Sequence, residues 1–88
     1  MKYTVLISDD AVISLEKMDK DMAARIYSWM KKNLVDCSNP RRIGKALTGD
    51  HAGNWRYRVG DYRILARILD DVVEIHVIEI GHRRNVYN

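Results

Sequence analysis

The last third of the chain constrains the fold most, because three apolar segments with alternating side chains follow one another at very short intervals. Only Gly60-Asp61 and Asp70-Asp71 separate them, and two-residue connections of this composition are typical of β-hairpins. The spacing therefore predicts a three-stranded antiparallel meander. Its predicted strands are residues 54–59, 62–69 and 72–80.

The first part of the chain has the pattern of a strand followed by two helices. Ser8 offers a helix N-cap, and Asp9 and Asp10 follow it in the first turn, where acidic groups favour a helix. Apolar residues then recur at helical spacing twice in succession. The predicted elements are a strand over 2–8, helices over 9–19 and 20–36, and mostly loop over 37–53.

The resulting order, β-α-α-β-β-β, predicts an α+β fold. A meander buries one face and leaves the other open, so we expect a small antiparallel sheet with two helices packed on one face. The first strand is expected to pair at the edge of the meander. A chain of 88 residues is interpreted as a single domain, residues 1–88.

The first hairpin sets four arginines apart from the apolar residues. A two-residue turn at positions 60–61 pairs Arg58 with Arg63 and Arg56 with Leu65, on one face. Arg67 follows on the same face, while the apolar and aromatic residues of these strands share the other. The apolar face is therefore expected to meet the helices.

The second hairpin is predicted in the same way, with a two-residue turn at Asp70-Asp71. The predicted pairs are Arg67 with Glu74, Leu65 with His76, and Arg63 with Ile78.

No acid stands at a position that faces Arg56, Arg58 or Arg63. Like charges opposite each other destabilise a sheet by up to ~1 kcal/mol. Because no acid compensates these three arginines, the triad is a candidate anion site. The alternative is three solvated arginines whose aliphatic stems cover Leu65.

Composition supports a polyanionic partner. The net charge of +3 arises wholly from residues 41–88, where basic residues outnumber acidic residues nine to six. Arginine suits phosphate because its planar fork donates two parallel hydrogen bonds. Further basic residues either contact the backbone phosphates of a nucleic acid or form a plain basic surface. They are Arg41, Arg42, Lys45 and Arg84.

We expect neither a metal nor a cofactor, and no membrane span. The histidines fall in different elements, and Cys37 is remote from them. No segment approaches the ~20 apolar residues that a span requires, and the single Cys is consistent with the cytoplasm. His82 is either a proton-transfer group or an exposed tail residue. Tyr87 either stacks on a base or is a disordered terminal residue.

Three segments in this order resemble the RelE/ParE superfamily of toxins from toxin–antitoxin systems. Their sequences are Gly44-Lys-Ala-Leu-Thr-Gly49, Trp55-Arg-Tyr-Arg-Val-Gly-Asp-Tyr-Arg63 and Gly81-His-Arg-Arg-Asn-Val-Tyr87. The resemblance covers the whole chain and implies the same β-α-α-β-β-β fold.

For a RelE-type member, the resemblance implies a ribosome-dependent endoribonuclease that cuts mRNA in the A site. The ribose 2′-hydroxyl attacks the adjacent phosphate without a metal, and a 2′,3′-cyclic phosphate results. The implied catalytic residues are Arg56, Arg58, Arg63, Arg83 and Tyr87, with His82 as a further candidate. Arginine replaces lysine of the best-known members at positions 56 and 58, so the general base is not identified, because arginine stays protonated.

The partners implied by the resemblance are a cognate antitoxin protein, the ribosome and mRNA. Two alternatives share the fold. ParE-type members inhibit DNA gyrase and lack nuclease chemistry, and an inactive RNA-binding relative is the other possibility.

Overall fold

The computed structural model describes residues 1–83, in which two helices cover one face of a five-stranded sheet. The strands are β1 Thr4–Ile7, β2 Lys45–Ala46, β3 Trp55–Val59, β4 Tyr62–Leu69 and β5 Glu74–His82. The helices are α1 Asp9–Lys17 and α2 Lys20–Asn33. The sheet order is β1-β5-β4-β3-β2. The α+β class and the element order of the long segments are confirmed.

One strand departs from the expected antiparallel sheet. β1 pairs at the edge of the meander, as predicted, but it runs parallel to β5, with Thr4 opposite Glu74 and Ile7 opposite Val77. The sheet is therefore mixed. The apolar pattern of an edge strand is the same in both directions, and the path of the chain through α1 and α2 decides which one is used.

The predicted loop over 37–53 contains two short elements. Lys45 and Ala46 form β2, which pairs with β3 in antiparallel fashion, and a 3-10 turn follows at Gly49–His51. A two-residue strand is too short to show a recognisable alternation. The sequence pattern therefore could not predict the pairing of β2 with β3.

Both helices begin at side-chain caps. The Ala11 amide donates to Ser8 Oγ at 3.1 Å, as the sequence predicted, and the Asp21 amide donates to an Asp19 carboxylate oxygen at 3.1 Å. The Ser8 hydroxyl also donates to the carbonyl of Ile78 in β5 at 2.7 Å. The start of α1 is thus attached directly to the sheet.

The core lies between the helices and the apolar face of the meander, which we call the helix-side face. Tyr57 stands at its centre with no exposed surface, and its ring lies 5.5 Å from that of Trp29. The Tyr57 hydroxyl donates to the carbonyl of Pro40, and burial raises the pKa of this phenol. The other buried strand residues on this face are Val59, Ile64, Ala66, Ile75, Val77 and Ile80.

The predicted register is confirmed for β3 and β4 and wrong for β4 and β5. Leu69 pairs with Glu74, so the connection spans four residues and not two. Asp70 is held in place because it accepts hydrogen bonds from Tyr3 and Arg41. Val73, at a φ of 56°, then turns the chain back into β5. Contacts with distant parts of the chain widen this turn.

A β-bulge shifts the register a second time. Ala66 pairs with Val77 but Leu65 pairs with Glu79, so Ile78 is the extra residue. The observed pairs replace those predicted for this hairpin: Arg67 with His76, Leu65 with Glu79, and Arg63 with Gly81.

Candidate functional site

The face of the sheet turned away from the helices, which we call the open face, carries the arginine triad. Arg58 pairs with Arg63 and Arg56 pairs with Leu65, as predicted. On the other side of Arg56 the sheet continues with Lys45. Four cationic side chains therefore occupy adjacent positions on three neighbouring strands, and like charges at such distances favour an anionic partner.

Leu65 forms the floor of this cluster. It lies on the open face and yet is only 3% exposed, because longer side chains around it cover it. The Nε atoms of Arg56 and Arg63 are themselves buried, so these side chains lie along the sheet. This packing agrees with the alternative interpretation, in which arginine stems cover Leu65. It is also compatible with an anion site, because the terminal guanidinium groups can contact an anion while the stems cover the leucine.

The loop before β2 brings Lys45 into the cluster. The Trp55 indole N–H donates to the carbonyl of Ile43 at 2.8 Å. Gly44 has a φ of 88°, and a Cβ at this position would overlap the Arg56 carbonyl oxygen and the Trp55 ring. Only glycine permits so close an approach. The backbone of Gly44 therefore sets the position of Lys45 beside Arg56.

A depression of about 450 Å³ adjoins the triad at the outer edge of β3. Lys45, Arg56 and Arg58 border it, and Trp29 and Asn33 of α2 form its other wall. Cationic groups next to an aromatic ring suit a nucleotide, in which phosphate and base are joined.

Arg83 lies at the same end of the sheet as Arg58 and Arg63. Its amide donates to the carbonyl of Asp61 at 2.9 Å, which attaches it to the turn between β3 and β4. Arg84 and Tyr87, two of the predicted site residues, lie outside the described residues.

His82 lies on the other face of the sheet. It pairs with Tyr62, and the two rings meet edge to face with their centroids 5.6 Å apart. Ile80, two residues earlier, is a core residue on the same face. The structure therefore does not bring His82 together with the triad.

Arg41 is separated from the triad along the length of β4. Its guanidinium donates to both carboxylate oxygens of Asp70, at 3.0 and 3.1 Å. This contact, together with the hydrogen bond from Tyr3, holds the pKa of Asp70 below its usual range. Asp70 follows Arg63 by seven positions, which corresponds to ~23 Å along a strand. Arg42 is exposed on the loop that precedes β2.

Within residues 1–83, no group of three His, Cys, Asp or Glu side chains is arranged to hold a metal ion. His76 contacts Glu74 at 2.9 Å, and Cys37 is half-buried with its pKa raised by burial. In the same part of the chain, neither helix has the length and apolar character that crossing a membrane requires.

The fold and the open face define a small α+β protein with a cationic sheet surface suited to a polyanion. The family described as the ParE toxin of the type II toxin–antitoxin system parDE matches residues 5–87, and the chain belongs to it. The protein is thus a toxin of a type II toxin–antitoxin system, within the RelE/ParE superfamily.

Two curated relatives come from Mycobacterium tuberculosis. Toxin RelG is 31% identical over 87 residues, which are 99% of this chain and 98% of the relative. Toxin RelE is 32% identical over 85 residues, covering 97% of this chain and 86% of the relative.

The solved structures similar to this one include RelE toxins. The toxin–antitoxin complex RelBE2 of M. tuberculosis matches with a TM-score of 0.84 and 29% identity, over 97% of this chain and 95% of that one. A mutant of the Escherichia coli toxin RelE matches with a TM-score of 0.76 over 98% of this chain and 88% of that one; at 18% identity this likeness concerns the fold.

Proposed function

We propose that this toxin is a ribosome-dependent endoribonuclease that cleaves mRNA in the ribosomal A site, in the cytoplasm. The observation that carries the proposal is the group formed by Lys45, Arg56, Arg58 and Arg63 on one face of the sheet. It occurs in a chain whose curated relatives over nearly its full length are named RelG and RelE toxins.

The arginines act on the scissile phosphate. Arg56, Arg58 and Arg63 bind its oxygens and offset the charge that develops in the pentavalent transition state. Arg83 stabilises the leaving 5′-oxygen, and Tyr87 orients a splayed base by stacking. The ribose 2′-hydroxyl attacks the phosphorus, so the reaction needs no metal at the protein. The ribosome supplies the bent mRNA geometry, and the isolated protein cleaves RNA poorly.

Further contacts with the RNA backbone come from Lys45 and Arg84, and from Arg42 on the loop. Arg41 is ion-paired with Asp70, so its contribution to RNA binding is the smallest of this set. We assign no chemical step to His82, because its ring packs against Tyr62 on the helix-side face.

An antitoxin protein is the expected partner in the resting cell. Two of the similar structures, from M. tuberculosis and Pyrococcus horikoshii, are complexes of a toxin with its antitoxin. A partner of acidic character that covers the open face would neutralise this toxin by excluding RNA from the arginines.

A second function is inhibition of DNA gyrase without nuclease chemistry. The description of the matching family, which names the ParE toxin, favours it. In that case the arginine triad would be dispensable for toxicity.

One experiment separates the two functions. Purified toxin is added to ribosomes carrying a defined mRNA, and primer extension maps the 5′ ends of the products. We expect cuts within the A-site codon, products ending in a 2′,3′-cyclic phosphate, and no inhibition of supercoiling by gyrase in a parallel assay. Intact mRNA together with inhibited supercoiling would replace the nuclease by the gyrase inhibitor.

A further inference from the structure

The bulge in β5 brings an acidic residue onto the open face. Val77 and Ile80 are both core residues with 1% exposure, although strict alternation would place residues separated by three positions on opposite faces. The register shift resolves this, because Ile78 and Glu79 together occupy the open face between them. Glu79 then pairs with Leu65, which places it beside the arginines.

Glu79 and Arg56 stand on opposite sides of Leu65. Each pairs directly with this leucine, one from β5 and the other from β3. Since neighbouring strands lie about 4.8 Å apart, the Cα atoms of Glu79 and Arg56 are ~10 Å apart. Arg63 precedes Leu65 by two positions on β4 and is a diagonal neighbour of both. A phosphodiester held above Leu65 would lie within reach of all three side chains.

The proposed reaction needs a proton acceptor, and the arginines cannot serve because the guanidinium stays protonated. A carboxylate can take this part. Within residues 1–83, no hydrogen bond or ion pair engages the carboxylate of Glu79. Glu74, at the other end of β5, contacts His76 at 2.9 Å. Glu79 is half-buried, so it can be reached by RNA on the open face.

We infer that Glu79 is the general base of the cleavage reaction, an inference that depends on the proposed function. Its carboxylate accepts the proton of the 2′-hydroxyl as the 2′-oxygen forms a bond to phosphorus. The bond between phosphorus and the 5′-oxygen breaks, and the leaving oxygen keeps the electron pair and takes a proton from water. Glu79 afterwards returns its proton to solvent, so the cycle closes without a further reactant.

The test compares Glu79→Gln with Glu74→Gln in single-turnover cleavage of mRNA on ribosomes. The two variants make the same change on the same strand. We expect Glu79→Gln to lower the rate by at least ~100-fold, the usual contribution of a general base, with ribosome binding and melting temperature unchanged. Glu74→Gln should cleave at the normal rate. The cleavage rate of the unaltered toxin should rise with pH on the acid side of its pH profile. This rise should be absent in Glu79→Gln and retained, at a lower rate, in Glu79→Asp.

The outcomes separate the two claims. If the unaltered toxin does not cleave mRNA on ribosomes, the proposed function fails, whatever the variants do. If it cleaves and Glu79→Gln cleaves within threefold of it, the nuclease stands and Glu79 is not the base. A loss of ribosome binding that accounts for the loss of cleavage would also overturn the role in proton transfer. Glu79 also lines a depression together with Lys17 and Met18 of α1, so Glu79→Gln can disturb the packing there. If its melting temperature is lowered, Glu79→Asp decides: it must keep the rise of the rate with pH on the acid side, and a flat profile would overturn the role in proton transfer.

Discussion

The two faces of the sheet use the same strands for different purposes. On the helix-side face, Tyr57, Ile64 and Ile75 have no exposed surface, and the helices cover them. On the open face, Arg58 stands opposite Arg63, a pairing that disfavours the folded state. Adjacent residues of one strand thus differ in what they contribute. Stability comes from the first face, and we assign RNA binding and chemistry to the second.

This comparison predicts that substitutions on the helix-side face act through unfolding, and Tyr57→Ala should have the largest effect. Removing a fully buried aromatic residue should lower the free energy of unfolding by ~3–5 kcal/mol. Tyr57→Phe keeps the ring and loses only the hydrogen bond to Pro40, so it should cost ~1 kcal/mol. Urea denaturation measures both. A loss below 1 kcal/mol for Tyr57→Ala would show that this face does not carry the stability.

On the open face, Arg63→Ala should reverse the pattern. A transition-state charge contact is typically worth ~3–4 kcal/mol, so single-turnover cleavage on ribosomes should fall by two or more orders of magnitude. The free energy of unfolding should change by less than ~1 kcal/mol, since removal of the charge relieves repulsion with Arg58. Arg67→Ala, on the same strand and face but opposite His76, is the matched control and should cleave normally. Equal losses in both variants would mean that general positive charge, and not this site, is responsible.

The smallest effect is expected at Asp70, at the far end of the open face. Arg41 and Tyr3 lower the pKa of Asp70 in the folded protein. Its contribution to stability is therefore fully present above the pKa of an unfolded aspartate, about 3.9. The contribution disappears as the pH falls through the lower pKa of the folded state. Asp70→Asn should therefore lower the melting temperature by about 4 °C or less at pH 7, as for an exposed ion pair. The difference should shrink as the pH falls below the unfolded value and disappear once Asp70 is protonated in both states. Cleavage should be unchanged; a strong loss would mean that this end of the sheet belongs to the site.

The two hairpins show which strand registers the sequence pattern can predict. The register of β3 and β4 was predicted correctly because Gly60, at a φ of 59°, makes the short turn that a two-residue connection requires. The register of β4 and β5 was not, although Asp70-Asp71 looked equivalent. Asp70 contacts Tyr3 and Arg41, which are 67 and 29 residues away in sequence, and these contacts hold the wider turn.

The candidate site, like the pair of hairpins, was predictable from the sequence only in part. The triad followed from alternation alone, because Arg56, Arg58 and Arg63 belong to one tight hairpin. Lys45 was recognised as a basic loop residue, but its place beside Arg56 depends on the close approach of Gly44 to β3. Glu79 was missed entirely. Strict alternation along β5 would place it on the helix-side face, and nothing in the local sequence marks the bulge at Ile78.

By itself, the sequence determined the fold class, the position of the core face and the arginine triad. These depend on periodicity, on capping residues and on one short turn, all of which act between residues close in the chain. The tertiary structure alone decided the direction of β1, the wide turn before β5, the neighbour of Lys45 and the face on which Glu79 and His82 lie. Each of these depends on a contact or a strand pairing between distant segments, and a shift of one residue in such a pairing moves a side chain to the other face of the sheet.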